Sequence, residues 1–255
     1  MSLTLLETRE LRVSVPGRVL IEGFDCAIRP GDVCALLGGN GAGKSLLLRT
    51  LAGLRAPNAG RVLLEGRDIQ EIPRRDVAVR LGFLPQDPEA PPQGTLRDAV
   101  MLGRFAHLGF WESAGATDEQ RVEQALAHTG LTALANRELG TLSGGEQRRA
   151  AIARLLVQAP ALYLLDEPTN HLDPAQQLGI LERLRSLARQ GAAVIASLHD
   201  PNLALRFATH AFLLFGDGRV ETVNGDALAT GHLERLYGVS YLETRAGGQR
   251  FMAPG

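Results

Sequence analysis

The stretch Gly38-Gly39-Asn40-Gly41-Ala42-Gly43-Lys44-Ser45 fits the pattern GxxxxGK[ST], directly after the apolar run Val33 to Leu37 and directly before a helical segment, Ser45 to Leu54. A strand, a glycine-rich loop and a helix in that order is the setting a phosphate-binding loop requires. Glycines let the backbone fold into a concave nest of N–H groups, and the helix N-terminus adds partial positive charge at the same place. Lys44 is expected to reach the β and γ phosphates of a nucleotide, and the Ser45 hydroxyl to ligate Mg²⁺. Lys44 is also the only lysine in the chain; every other basic residue counted with it is arginine.

Outward from this loop, two further runs are continuously apolar, Ala161 to Leu165 and Ala193 to Leu198. Such runs are expected where both faces of a parallel sheet are covered. Helical segments alternate with them, among them Glu146 to Gln158 and Ala175 to Gln190, so the chain reads as α/β with a mainly parallel sheet. Nearer the N-terminus the pattern changes to alternation: Leu11, Val13 and Val15 against Arg12 and Ser14, then Phe24, Cys26 and Ile28, then Arg61 to Leu64. These runs, separated by Pro16-Gly17, Pro30-Gly31 and Glu65-Gly66, predict an antiparallel layer. From about Asp87 to Ala159 strand signals vanish and helix patterns dominate, broken by the Pro-rich stretch Pro88 to Pro92, which reads as a helical insertion. After Phe215 only turn signals stand out, at Gly216-Asp217-Gly218 and Gly247-Gly248, so no separate regulatory domain is expected.

With 255 residues, 45% apolar and 22% charged, the composition is that of a globular α/β chain. Lys+Arg 27 against Asp+Glu 28 gives a net charge of -1, so no bulk basic field holds nucleic acid or anionic lipid. Cys26 and Cys34 form no CxxC pair and sit among apolar neighbours, as inert buried thiols in a reducing compartment do. Glu7 and Glu10 interrupt what would be the apolar part of a signal peptide, and no apolar run approaches the roughly 20 residues that span a bilayer.

Asp166 and Glu167 end the run Leu162-Tyr163-Leu164-Leu165, which puts two carboxylates at the carboxyl edge of a buried strand, where open α/β sheets bind ligands. Asp166 is expected to hold Mg²⁺ through water, and Glu167 to orient or deprotonate the water attacking the γ phosphate. His199 arrives at the same edge after Ala193 to Leu198. In Leu142-Ser143-Gly144-Gly145-Glu146, Ser143 and Glu146 make a capping box ahead of a helix. The box does not explain Gly144-Gly145, which strips side chains from the helix start and leaves bare N–H donors for an anion. Two half-sites for one γ phosphate predict two copies of the chain closing head to tail over two nucleotides.

Taken in order, these motifs resemble those of the nucleotide-binding subunits of ABC (ATP-binding cassette) transporters, over nearly the whole chain. GGNGAGKS resembles the Walker A loop, Gln86 in Phe83-Leu84-Pro85-Gln86 the Q-loop, and LSGGE at Leu142 the family signature. LYLLDE resembles Walker B, Asn170-His171-Leu172-Asp173 the D-loop, and Ser197-Leu198-His199-Asp200 the switch histidine. The resemblance implies a P-loop NTPase core of about 1–86 and 160–255 within a single domain spanning 1–255, with 87–159 as a helical subdomain docking on a multi-span permease. It also implies catalytic roles for Glu167, His199 and Gln86, and Mg²⁺ contacts for Ser45, Gln86 and Asp166. ATP is expected between the Walker A loop, Gly38 to Ser45, of one protomer and Ser143, Gly144, Gly145 and Asp173 of the other.

Ala99-Val100-Met101-Leu102-Gly103-Arg104-Phe105-Ala106-His107 and His199-Asp200-Pro201-Asn202-Leu203-Ala204 are similar to segments of importers of iron-siderophore, haem and cobalamin chelates. That implies a peripheral subunit at the cytoplasmic face of the membrane, served indirectly by a periplasmic or extracellular solute-binding protein, with no nucleic acid partner. One departure stands out: Val15 occupies the position where the family has an aromatic residue stacking on adenine. Glu167 to Asp173 also resembles ABC proteins that act on ribosomes, and an exporter subunit is a further alternative; a plain P-loop kinase leaves the signature without a job.

Overall fold

The computed structural model describes residues 4–86, 94–109 and 112–255. The expected insertion boundary at Asp87 and the stretch Pro88 to Pro92 lie outside the described residues. The chain runs β1 (Leu6–Val15), β2 (Arg18–Ile28), β3 (Val33–Leu37), α1 (Lys44–Leu51), β4 (Ala59–Leu64), β5 (Arg67–Asp68), α2 (Arg74–Arg80) and β6 (Leu81–Leu84). There follow α3 (Leu96–Met101), α4 (Ala116–His128), α5 (Gly144–Gln158), β7 (Leu162–Leu165), α6 (Pro174–Arg189), β8 (Ala193–Ser197) and α7 (Pro201–Phe207). The last elements are β9 (His210–Leu214), β10 (Val220–Asn224), α8 (Thr230–Tyr237), β11 (Tyr241–Ala246) and β12 (Gln249–Pro254).

The main sheet has the order β10-β9-β3-β8-β7-β6; its ladders are parallel except for β10, which pairs antiparallel with β9. β3 lies at the centre with helices on both sides, and its side chains alternate between two cores. Cys34 and Leu36 face a core shared with α1 residues Leu47, Leu48 and Leu51, whereas Ala35 and Leu37 face one shared with α6 residues Ile180, Leu181 and Leu184. This two-sided burial is why the strand reads as continuously apolar. The expected antiparallel layer is the sheet β2-β1-β4-β5, which closes over α1, with Phe24 edge-on to Phe212 of β9 at 5.2 Å between ring centroids.

Among the described residues between β6 and β7 there is no named strand, and α3, α4 and α5 enclose their own core of Leu96, Val100, Val122, Leu126, Ala153 and Val157. The capping box forms as expected: the Ser143 Oγ accepts from the Glu146 N–H at 3.3 Å, and Glu146 Oε2 accepts from the Ser143 N–H at 2.8 Å. With Ser143 as the cap, helix α5 starts at Gly144, two residues before the sequence-based boundary.

The region after Phe215 holds more structure than its turn signals predict. Gly216, Gly218, Gly247 and Gly248 do take positive φ, but between and beyond them lie β10, α8 and the hairpin β11–β12. The hairpin's strand β11 is exposed along nearly its whole length, so it carries no apolar alternation to be read.

Candidate functional site

The strand order reverses at β3, whose neighbours are β9 and β8, and the carboxyl ends of β3, β6, β7 and β8 open onto one crevice. At the end of β3 the chain enters the glycine loop because only glycine fits there: a Cβ on Gly38 would stand 2.5 Å from the Leu214 carbonyl oxygen. Gly43, at φ 101, caps α1 in the left-handed region, where a side chain would also press on Leu20.

The loop lines a cleft of about 640 Å³ with Asn40, Gly41, Ala42, Gly43, Lys44 and Ser45. Gln86, Glu167 and His199 line the same cleft, as do Val15, Arg18 and Leu20. Gly38 and Gly39 contribute through their carbonyls, which accept from the Lys44 ammonium at 2.7 and 3.1 Å. Burial lowers the Lys44 pKa from the ordinary lysine value, while the charges of Glu167 and Asp166 oppose that shift. The lysine is therefore poised in a partly desolvated site where charge on a phosphate is felt strongly.

Glu167 is almost fully buried and adopts φ 50, a left-handed conformation that costs a non-glycine residue about 1–3 kcal/mol. Its carboxylate is held from three directions. Oε2 accepts from Gln86 Nε2 at 3.1 Å and from Asn170 Nδ2, and Oε1 lies 2.6 Å from His199 Nε2. A carboxylate so fixed, facing the phosphate loop, is suited to orient and deprotonate a water.

Asp166 is buried beside it, and its Oδ1 accepts from the Ser197 hydroxyl at 2.7 Å. The same hydroxyl accepts from the Glu167 N–H at 2.8 Å, so one residue of β8 registers both carboxylates. Ser45, Gln86 and Asp166 offer a hydroxyl, an amide and a carboxylate, an oxygen donor set suited to Mg²⁺.

The remaining sequence-expected residues are not part of this cleft. Ser143, Gly144 and Gly145 form the start of α5, and Asp173 caps α6 by accepting from the Gln176 N–H at 2.8 Å. The two segments touch: a Cβ on Gly145 would come 3.0 Å from the His171 carbonyl oxygen. Sequence reading missed Ser197 and Asn170 as partners of the carboxylates; the only signal for Asn170 is its place three residues beyond Glu167 in the same loop. The aromatic residue sought near Val15 is absent among the described residues that line the cleft, and Arg18 there donates twice to the Gly216 carbonyl, at 3.0 and 2.7 Å.

Comparison with known proteins follows the same line. The family described as ABC transporter matches residues 21–170. The ferric enterobactin transport ATP-binding protein of Escherichia coli is 38% identical over 240 residues, 93% of this chain and 89% of that protein. The hemin import ATP-binding protein of Rhodopseudomonas palustris is 37% identical over 260 residues, 98% of this chain and 94% of its own length. A solved metal-chelate type ABC transporter in an inward-facing conformation aligns with a TM-score of 0.82 at 28% identity, over 98% of this chain and 97% of that one. Matches of this breadth and identity leave one assignment: the chain belongs to the ABC transporter family, as one of its ATP-binding cassettes.

Proposed function

We propose that the chain is the ATP-hydrolysing subunit of an importer for a metal chelate of the iron-siderophore, haem or cobalamin kind. The observation that carries the reading is the convergence of Lys44, Ser45, Gln86, Glu167 and His199 on one cleft. The relatives named for enterobactin and hemin support the chelate class. In this reading Lys44 binds the β and γ phosphates, Glu167 deprotonates the attacking water, and Gln86 and His199 hold that carboxylate and sense the γ phosphate. Mg²⁺, held by Ser45, Gln86 and Asp166, supplies neutralisation of the phosphate charge when bound.

Ser143, Gly144, Gly145 and Asp173, which stand away from this cleft, serve the nucleotide of a second copy in a head-to-tail homodimer. ATP then stabilises the closed dimer and hydrolysis releases it, which biases the partner between two conformations. A groove of about 690 Å³ lined by Arg75, Phe83, Leu102, Phe105 and Arg154 supports a permease as that partner, and Phe105 is 76% exposed beside it. No helix of the described residues is long and apolar enough to cross a membrane, in keeping with a peripheral subunit held by the permease. A solute-binding protein outside the membrane then acts on the permease and only indirectly on this chain.

The test is retention of native partners by tagged Glu167→Gln protein in Mg-ATP. Recovery of a polytopic permease supports the importer reading and narrows the solute through that partner. Recovery of ribosomes without a membrane protein overturns it in favour of a cassette acting on translation, and recovery of an exporter permease overturns the direction of transport.

A further inference from the structure

The ladder between β6 and β7 ends abruptly at the site. Leu84 pairs with Leu165, and the Asp166 N–H donates to the Leu84 carbonyl at 2.8 Å. The residue that follows β6 is Pro85, which has no N–H to continue the pairing. Four main-chain carbonyls lie beyond this point, those of Pro85 and Gln86 on one strand end and of Asp166 and Glu167 on the other. All four accept from one side chain. Arg148 Nη1 donates to the carbonyls of Pro85 at 2.6 Å and Gln86 at 3.0 Å; its Nη2 donates to those of Glu167 at 2.7 Å and Asp166.

Arg148 is only 3% exposed and is carried on α5, five residues after Ser143. A guanidinium is the one side chain whose planar fork can bridge two strand ends in this way. The consequences fall on the reacting groups. Glu167 is held at its strained φ of 50 by Ser197 at its N–H and by Arg148 at its carbonyl. Gln86, whose carbonyl the other nitrogen grips, places its amide 3.1 Å from the Glu167 carboxylate.

We propose that Arg148 is a positioning residue for ATP hydrolysis: it fixes Gln86 against Glu167 and ties that spacing to the position of α5, the helix that begins with Ser143, Gly144 and Gly145. A shift of α5 relative to the sheet is thereby transmitted to the hydrolytic carboxylate of the same protomer through one guanidinium. This rests on the reading of Glu167 as the residue that activates water.

The experiment compares Arg148→Ala and Arg148→Gln with the parent chain in ATP affinity, bound-nucleotide stoichiometry, kcat and KM, and repeats Arg148→Ala in a Gln86→Ala background. The expected result is a fall in kcat per bound nucleotide of about tenfold to a hundredfold, the cost of misplacing a reacting group by about an ångström, with KM for ATP little changed. Arg148→Gln, which keeps two donors and fills part of the space, recovers part of the loss and supplies the measurement should Arg148→Ala fail to fold. In the Gln86→Ala background the Arg148 substitution costs clearly less than in the parent chain, because the Gln86 amide it positions is gone and only its hold on the Glu167 carbonyl is left to lose.

An unchanged kcat per bound nucleotide in a folded variant overturns the proposal, since a merely structural role lowers the folded fraction and not the turnover of what remains. Full additivity with Gln86→Ala overturns it as well. Glu167→Gln, run alongside, separates the two levels: if it retains turnover the reading of the site itself fails, and if it loses turnover while the Arg148 variants do not, only the present proposal fails.

Discussion

His199 Nε2 lies 2.6 Å from Glu167 Oε1, which joins the residue just beyond β8 to the residue just beyond β7 across the mouth of the phosphate cleft. The two are unequal partners: the Glu167 side chain is 8% exposed and that of His199 46%. In the proposed mechanism the buried carboxylate activates water, and the more exposed imidazole exchanges the carboxylate for a phosphate oxygen. Glu167→Gln is expected to preserve ATP binding and lower kcat by about 10²–10⁴-fold, the usual worth of a positioned general base. His199→Ala is expected to lower kcat less, with binding retained. Rates of hydrolysis and equilibrium ATP binding on the same preparations check both, and turnover by Glu167→Gln at near the parental rate removes Glu167 from its role.

Lys44 offers a direct handle because it is the only lysine. Its ammonium donates to the Gly38 and Gly39 carbonyls inside the loop, which holds the charge at the place where the proposed site receives phosphate oxygens. Lys44→Ala is expected to weaken ATP binding by about 10- to 100-fold, the equivalent of one hydrogen bond to a charged group. An amine-directed acylating reagent followed by mass spectrometry reads the same site in the unmutated protein. Modification of Lys44 should slow about tenfold or more when Mg-ATP is bound, and equal rates with and without nucleotide would falsify the assignment.

The phosphate loop and the paired carboxylates were legible because each couples a composition signal to a position: glycines and a lysine after β3, acids after β7. What was not legible is adjacency that only the sheet creates. Ser197 belongs to β8, yet its hydroxyl accepts from the Glu167 N–H and donates to Asp166 because β7 and β8 are neighbours. Arg148 is one of a pair, Arg148-Arg149, in a helical segment that carries no sign of burial in the sequence, and only the meeting of α5 with the ends of β6 and β7 buries it. The strands β6 and β9 are no shorter than β7 and β3 but were not read as separate runs; in β6, Gly82 interrupts the apolar sequence.

Val15 lines the cleft at the position that the resemblance assigns to an adenine-stacking aromatic. It is half-buried, and no aromatic ring is among the described residues lining that cleft, so a purine gains no ring-on-ring stacking from this wall. The loss is worth ~1–3 kcal/mol by analogy with base–aromatic stacking, and it is insensitive to which purine is bound. GTP is therefore expected to be hydrolysed at more than about a hundredth of the ATP rate, and Val15→Tyr to tighten binding of both nucleotides by about tenfold. Side-by-side kcat/KM values for ATP and GTP decide it; a GTP rate below that level means that selectivity comes from elsewhere in the cleft.

Stability is expected to fall in alkali for a reason built into the core. Burial pushes the Cys26 thiol up to about 11 and the Tyr163 and Tyr237 phenols up to about 12, and it raises Cys34 well above the ordinary thiol value. Each group ionises more readily in the unfolded chain. Their contribution is complete below the unfolded-state values and is lost as pH rises through the range from about 9 to about 11 for Cys26. Lys44, shifted downward, works in the opposite direction but is one group against four. Urea unfolding at pH 8, 9.5 and 10.5 should give a steadily falling midpoint, while a flat midpoint would show that these groups are not held neutral. The same shifts predict slow alkylation of both cysteines at pH 8 relative to the denatured chain.

Asn202 fastens the C-terminal hairpin to the segment that carries His199. Its side chain pairs with the backbone of one residue on β12: Oδ1 accepts from the Met252 N–H at 2.7 Å, and Nδ2 donates to the Met252 carbonyl at 3.0 Å. The same amide nitrogen also donates to Asp200 Oδ1 at 3.0 Å, so the hairpin, the cap of α7 and the loop after β8 share one side chain. Met252 itself is buried and packs into the core on that side of the sheet. Asn202→Ala leaves both Met252 groups without this partner, at a cost of about 1–3 kcal/mol, equivalent to roughly 2–4 °C in Tm per kcal/mol for a chain of this size. Asn202→Asp is expected to be at least as harmful, because it loses the donor and sets a second carboxylate against Asp200. Limited trypsin digestion gives the local readout: cleavage at Arg245 and Arg250 should accelerate in both variants before the rest of the chain becomes sensitive. Unaltered cleavage there, with Tm unchanged, would mean that the hairpin is held by its Met252 packing and by the bonds of Arg250 to Glu243 and the Asp226 and Leu228 carbonyls.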